Sequence, residues 1–353
     1  MYIKHKLYLE DVKRVANENL SWNDLKNKSL LITGATGMIG TMIVDVLMQK
    51  NVDDNLNLKI YAAGRNYKIA QKRFADYLSS DNFEFVRFDV NEPINFDFKV
   101  DFIIHAASNT HPKLYSSDPV ATLMTNILGT YNLLEYAKTS AIEKFLFLST
   151  VEIYGQALEN DDTFDENYCG YINCNSFRAN YPEGKRAGEA LCNAYIEKYK
   201  INIIIPRLSR IYGATMRLDD SKAMSEFIMN GVRKENIILK SEGLPLFSYC
   251  YLADCVSGIF YCLLNGECGE AYNIADSSEI ISLRAIAEYI AELSDRKVIF
   301  EIPDSSQAKG FSKVVRGVMS NKKLRSLGWT PYDDTKSGVK KTIEILRDVV
   351  NNF

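Results

Sequence analysis

A short apolar strand that breaks on a glycine and restarts as a helix constrains a fold more than any other feature of this chain. Leu30-Leu31-Ile32-Thr33-Gly34-Ala35-Thr36-Gly37-Met38-Ile39-Gly40 is such a stretch, followed by the helical run Thr41–Met48. Gly34 permits a tight turn, Gly37 lets the backbone approach a pyrophosphate, and Gly40 lets the helix pack close to the strand. The helix N-terminus then offers free N–H groups and the positive end of its dipole to phosphates. The glycines follow G-x-x-G-x-x-G, one residue away from the standard dinucleotide spacing. An ordinary strand-to-helix turn is the alternative; the strand before and the helix after favour a dinucleotide. Gly34, Thr36, Gly37, Met38, Ile39 and Gly40 are the expected contacts.

From Leu30 onward apolar runs alternate with helical patterns. Strands are predicted at Leu30–Thr33, Lys59–Ala63, Phe83–Arg87, Phe102–His105, Lys144–Ser149 and Ile201–Arg207, with helices at Thr41–Gln49, Ile69–Leu78, Pro119–Ser140 and Pro182–Lys198. This succession implies an α/β fold, a Rossmann-type doubly wound parallel sheet covered on both faces. Leu7 to Leu25 precede it at helical spacing and read as an added surface helix or subunit contact. Further on, Ala271–Ala275 reads as a strand, Ser282–Leu293 as a helix capped by Ser282, Val298–Ile302 as a strand and Lys336–Val350 as a last helix. The expected organisation is an N-terminal helical extension over 1–28, a dinucleotide-binding domain over 29–208, and a smaller C-terminal α/β substrate-binding part over 209–335. Segments of that part return to the first domain, and a C-terminal helix follows over 336–353.

Composition excludes several classes. In 353 residues the formal net charge is −3, so no surface for nucleic acid is indicated. Seven cysteines without a C-x-x-C pair argue against a disulfide framework or a zinc site, so no metal is expected, and reduced thiols fit the cytoplasm. No run of about 18 apolar residues suggests a membrane span, and Met1–Lys6 has no signal-peptide core.

Ligands of such sheets bind beyond the strand C-termini. At the second of these, Gly64-Arg65 stands where an NAD-selective site usually carries Asp or Glu, which leaves room for a 2′-phosphate and favours NADP over NAD. Asp89, Val90, Ala106, Ala107, Ser108 and Ser149 follow later strands as further cofactor contacts, whereas His105 reads as a packed or backbone-bonded histidine rather than a catalyst. Tyr181 and Lys185 lie one helical turn apart. The ammonium would lower the phenol pKa, Tyr181 could move a hydroxyl proton as hydride leaves, and Thr150 would hydrogen-bond the same oxygen.

Together these segments resemble the extended short-chain dehydrogenase/reductases that modify nucleotide sugars. Locally the sequence is most similar to UDP-glucuronate decarboxylases, then to dTDP-glucose 4,6-dehydratases. The likeness rests on Thr33–Gly40, His105–Ser108, Pro119–Thr130, Ser149–Gly155, Tyr181–Arg186, Pro206-Arg207, Tyr212-Gly213 and Tyr251–Asp254. It implies oxidation at C4 of the sugar, with Tyr181 as base, Lys185 and Thr150 in support, Asn126 beside the cofactor, and a keto intermediate that permits epimerisation, decarboxylation or dehydration. Glu152 matches dehydratases and decarboxylases; Val151, where dehydratases carry Asp, disfavours 4,6-dehydration. The resemblance also implies a homodimer through the Pro119–Ser140 and Pro182–Lys198 helices.

The departures lie on the substrate side. Arg210 and Glu226 replace Asn residues, and Phe247 stands where an Arg meets the diphosphate; Arg210, Arg217 or Lys222 could supply that charge instead. Gly64-Arg65 and the altered phosphate positions leave an NADPH-dependent reductase of a sugar as the alternative. A non-catalytic nucleotide sensor is disfavoured by intact Thr150, Tyr181 and Lys185.

Overall fold

The computed structural model describes residues 2–110, 117–157, 163–277, 280–302 and 315–351. In chain order the first strands are β1 (Ser29–Thr33), β2 (Lys59–Gly64), β3 (Phe83–Arg87), β4 (Phe102–His105), β5 (Lys144–Phe147), β6 (Ser149–Thr150) and β7 (Ile203–Leu208). Then come β8 (Arg210–Tyr212), β9 (Ile237–Leu239), β10 (Leu246–Phe247), β11 (Tyr249–Tyr251), β12 (Ala271–Ile274), β13 (Ile281–Ser282), β14 (Val298–Phe300) and β15 (Arg316–Gly317).

The main sheet runs β12-β7-β5-β4-β1-β2-β3, wholly parallel, with β6 also pairing β7. Leu30, Leu31, Ile32, Ile103, Ile104, Phe145 and Leu146 have no exposed surface, as strands covered on both faces must. The chain builds outward from β1 through β2 to β3, then returns to lay β4 on the other side of β1. That reversal opens a crevice above the C-terminal ends of β1 and β4, where ligands of this topology bind.

Two predicted helices change most at their ends. The glycine-turn helix spans Met38–Asp54, three residues earlier than predicted, because Gly37 is already its N-cap; Asn55 ends it in the left-handed region. The helix predicted over Ile69–Leu78 is only Tyr67–Arg73, capped by Asn66 Oδ1 on the Ile69 amide and stopped where fully buried Phe74 turns into the core. Helix Pro119–Ser140 keeps its predicted limits, set by the Asp118 carboxylate on the Ala121 amide and Pro119 in the first turn.

Residues 7–25 are not one helix: Lys6–Ala16 is helical and Trp22–Leu25 forms a separate 3-10 turn. Nor does this segment merely lie on the surface. Tyr8, Val12, Val15 and Ala16 are buried, and Trp22 packs against Phe260. The Tyr8 and Tyr77 hydroxyls donate to buried Asp45 at 2.6 and 2.8 Å. Arg14 reaches Asp254 at 2.9 Å and Asp333 at 3.3 Å, while Lys341 reaches Asp11 at 3.1 Å and Asp333 at 3.0 Å. The N-terminal helix is thereby pinned to helices Leu252–Asn265 and Thr335–Asn351.

Helix Leu252–Asn265, buried nearly throughout, lies behind the main sheet and leads to its edge strand β12. Helices Ala223–Arg233, Leu283–Ser294, Lys322–Ser326 and Thr335–Asn351, with the short sheets β11-β8, β14-β9 and β13-β10-β15, make up the rest of the C-terminal part. Among the described residues no helix is long and apolar enough to cross a membrane, and no cluster of His, Cys, Asp or Glu could hold a metal ion. All seven cysteines are free.

Candidate active site

The glycine turn is built for close approach. Gly34 holds φ +70°, and a Cβ there would stand 2.8 Å from the Ala107 nitrogen. A Cβ on Gly40 would meet the Gly34 oxygen at 2.5 Å and the Ala35 Cα at 2.7 Å. Both positions therefore require glycine: the turn lies against Ala106-Ala107 on one side and against the helix on the other. No side chain caps the helix at Gly37, which leaves the first-turn amides of Met38, Ile39 and Gly40 to a ligand. This cradle, bare of side chains and opening on a helix N-terminus, fits a dinucleotide pyrophosphate.

Gly64, Arg65 and Thr36 come together on one flank. A Cβ on Gly64 would lie 3.5 Å from Thr36 Oγ1, so the bare residue keeps that wall shallow. Arg65 is largely exposed, with Nη1 3.9 Å from Asp89, a distance at which a surface pair contributes little. Asp89 accepts from the Asn91 amide and side chain, both at 3.0 Å, while Val90 is buried against the Pro119–Ser140 helix at Gly129.

His105 ends β4 and is a buried structural residue. Its Nδ1 lies 2.8 Å from Thr33 Oγ1 and its Nε2 3.3 Å from Thr130 Oγ1, so its partners are side chains. Burial, with the charge of Lys185 added, holds its pKa well below the ordinary histidine value. It is neutral and braces β1 against the helix. Ser108, beyond it, donates to Asn126 Oδ1 at 2.8 Å, and Asn126 Nδ2 donates to the Thr122 carbonyl at 2.9 Å.

Tyr181 sits in the first turn of helix Asn180–Tyr199, 6% exposed, with Thr150 and Ser108 as hydrogen-bond partners. Thr150 Oγ1 accepts the Glu152 amide at 3.3 Å, which leaves its own proton free for the phenolic oxygen. The sequence predicted that Lys185 would lower the phenol pKa. Instead it is raised, first by burial and then by the Glu152 carboxylate, with the Thr150 and Ser108 hydrogen bonds pulling the other way. The reason lies in where the ammonium points. Lys185 Nζ donates to the Leu148 carbonyl at 2.8 Å and sits 4.6 Å from the Phe147 ring centroid, and burial pushes its pKa down to about 8 against the opposing charge of Glu189.

That lysine also explains why the predicted Lys144–Ser149 strand is two pieces. The Leu148 carbonyl serves Lys185; β5 stops at Phe147 and β6 resumes at Ser149 beside β7. The helix carrying Tyr181 and Lys185 approaches so closely that a Cβ on Gly188 would meet Phe147 Cζ at 2.5 Å.

Sequence reasoning missed the layer behind Lys185. Ser149 Oγ donates to Glu189 Oε1 at 2.5 Å, and Arg207 grips Glu189 through Nε at 3.1 Å and Nη2 at 2.7 Å. Arg207 also donates to the Tyr154 oxygen at 3.1 Å, and that hydroxyl donates to Asn273 at 2.6 Å. Glu189 lies one turn beyond Lys185, a spacing that could have flagged it.

The substrate-side candidates separate. Arg217 is turned back on Asp219 through two hydrogen bonds, Lys222 pairs with Asp220 at 3.3 Å, and Glu226 pairs with Lys240 at 3.5 Å. Arg210 and Phe247 meet, with the guanidinium carbon 3.6 Å from the ring centroid.

Comparison with known proteins identifies the family and the fold. The sequence profile of the NAD dependent epimerase/dehydratase family matches residues 30–275. UDP-glucuronic acid decarboxylase 6 of Arabidopsis thaliana is 32% identical over 317 residues, covering 89% of this chain and 87% of that protein. UDP-glucuronic acid decarboxylase 1 of Danio rerio is 30% identical over 324 residues, 90% of this chain and 72% of its own. The dTDP-glucose 4,6-dehydratase structure from Streptomyces venezuelae, with NAD bound, superposes with a TM-score of 0.80 at 21% identity over 92% of this chain and 98% of that one. UDP-glucuronic acid 4-epimerase from Bacillus cereus, in complex with UDP-glucuronic acid and NAD, gives 0.77 at 20% identity over 91% and 99%.

Proposed function

Because this chain belongs to the NAD dependent epimerase/dehydratase family, we propose that it modifies a nucleotide-activated sugar by oxidation at C4 and passage through a keto intermediate, with Tyr181 as the base. The observation that carries this reading is the pairing of the Tyr181 phenol with Thr150 and Ser108 at the mouth of the glycine cradle. Bound in that cradle, the nicotinamide dinucleotide supplies the acceptor for a hydride and its later donor. Gly34, Thr36, Gly37, Met38, Ile39 and Gly40 hold the pyrophosphate. Asp89 and Val90 border the adenosine end; Ala106, Ala107, Ser108, Asn126 and Ser149 border the nicotinamide end.

The chain's own work is proton transfer and charge placement. Tyr181 acts as the phenolate, which the Thr150 hydroxyl stabilises by donating to it, and becomes the neutral phenol when it takes the C4 hydroxyl proton. Protonated Lys185, held by the Leu148 carbonyl, faces the ribose side. Glu152 then faces the carbons next to the ketone, where a carboxylate can take a proton or guide loss of CO2. Val151 offers no proton for loss of water, so epimerisation or decarboxylation is the reaction type. On the substrate side, Arg210 and Phe247 border the nucleotide phosphates, whereas Arg217, Lys222 and Glu226 would have to leave Asp219, Asp220 and Lys240 to join them.

NADP is the preferred cofactor in this reading: Gly64 leaves space and exposed Arg65 a cation for a 2′-phosphate. Two copies pair through helices Pro119–Ser140 and Asn180–Tyr199, on which Val120, Met124, Tyr131 and Tyr199 are exposed apolar side chains. The seven free thiols support a reducing, cytoplasmic setting.

The test is incubation of the purified protein with UDP-, dTDP-, GDP- and CDP-linked sugars and either cofactor, read by chromatography that resolves epimers coupled to mass spectrometry, and by absorbance of the reduced nicotinamide. A new sugar nucleotide without net change in that absorbance is the expected result. Stoichiometric consumption of reduced cofactor would establish a net reductase instead, the reading that Arg65 also favours.

A further inference from the structure

Arg210 is the first residue of β8, just past the end of β7. Its guanidinium lies flat on Phe247, 3.6 Å from the ring centroid, and the residue is half-buried. Every other arginine considered above has a carboxylate or carbonyl partner: Arg14 has Asp254 and Asp333, Arg207 has Glu189, Arg217 has Asp219. Arg210 makes no ion pair among the described residues, and its Nε is buried without a hydrogen-bond partner. Burying a guanidinium donor without an acceptor is costly. The neighbouring Ser209 Oγ is buried and unpartnered too.

The stack also has an address. Phe247 Cδ1 lies 3.0 Å from where a Cβ of Gly317 would stand, and that same point is 3.9 Å from Val151 Cγ2. Val151 sits between Thr150 and Glu152. The guanidinium is thus one ring and one bare glycine away from the segment that carries the catalytic threonine. A side chain at 317 would push into the ring that supports Arg210.

We infer that Arg210, shelved on Phe247, is the oxyanion receptor of the substrate site, taking either the diphosphate of a nucleotide sugar or a carboxylate on the sugar itself. The apolar shelf fixes the plane of the guanidinium and covers one face, leaving its edge to make paired, charge-assisted hydrogen bonds. Receptor and shelf come from separate strands, so both Arg210 and Phe247 set specificity. This rests on the nucleotide-sugar reading above.

The test is calorimetric titration of the full chain, preloaded with cofactor, with UDP, dTDP, CDP, GDP, UDP-glucose and UDP-glucuronic acid. Arg210→Gln is expected to weaken the best-binding probe ten- to a hundredfold while cofactor affinity and Tm stay unchanged. Arg210→Lys, which keeps the charge but not the fork, should recover part of the loss, and Phe247→Ala should lose a few-fold. Equal weakening of the bare diphosphate and its sugar conjugates assigns Arg210 to the diphosphate. Weakening confined to UDP-glucuronic acid assigns it to the carboxylate. Binding of every probe within twofold of the parent by Arg210→Gln overturns the inference and leaves the nucleotide-sugar reading standing. A parent protein that binds cofactor but none of the probes removes that reading, and this one with it.

Discussion

Ser108 gives its only proton to Asn126 Oδ1 at 2.8 Å, while also touching the phenol of Tyr181. The Asn126 amide is held in that orientation by its Nδ2 on the Thr122 carbonyl. Ser108 can therefore donate to a phenolate only by releasing Asn126, which makes Thr150 the ready donor and Ser108 a reserve. Ser108→Ala is expected to lower kcat about fivefold, the worth of one hydrogen bond of about 1 kcal/mol. Thr150→Val should cost more, because it removes the proton already free for the phenolate. Steady-state kinetics on both variants checks the order.

Tyr181→Phe should reduce kcat by about 10²–10⁴, with cofactor binding nearly intact. Single-turnover product analysis beside a cofactor titration reads both. Turnover retained at the parent rate would remove Tyr181 from the chemistry.

Lys185 predicts an alkaline limit. Its pKa is pushed down to about 8, so the ammonium is present at neutral pH and lost above it. The value of kcat/KM should fall on the alkaline side with an apparent pKa near 8. Stability should move the other way. The unfolded chain keeps its lysine proton up to about 10.4, so between 8 and that value the unfolded state binds more protons, and this group makes the fold more stable as pH rises. Lys185→Met should remove that rise in urea titrations.

Asp45 has the opposite acid-side signature. Burial raises its pKa to about 6 despite the hydroxyls of Tyr8 and Tyr77. Between about 4 and 6 the folded state binds the extra proton, so its contribution to stability declines as pH rises through that window, by up to about 3 kcal/mol. The stability difference between the parent and Asp45→Asn should shift in the parent's favour on going from pH 7 to pH 4. Urea melts at both values test it.

Arg14→Met leaves Asp254 and Asp333 with one cation fewer in a buried cluster. Breaking such a pair from one side costs about 3–5 kcal/mol when fully buried; with Arg14 one-fifth exposed, the low end is expected. Thermal melting of the variant measures it.

What could be read from the sequence was what local chemistry dictates. β1 and β4 are short runs with no polar face, and helix Pro119–Ser140 announces itself by Asp118 and Pro119. Tyr181 and Lys185 were legible because one helical turn separates them. What escaped depends on partners distant in the chain. The break at Leu148 comes from a lysine 37 residues later, and the Arg210–Phe247 stack joins two separate short strands. The N-terminal helix seemed peripheral because Asp11 and Arg14 look like solvated charges until Asp254, Asp333 and Lys341 arrive from the far end of the chain.

His5 lies 3.1 Å from Asp348, so the start of the Lys6–Ala16 helix and the end of the Thr335–Asn351 helix are next-door neighbours. A covalent tether between those two helices should therefore leave the parent's sheet order and its catalytic pocket in place.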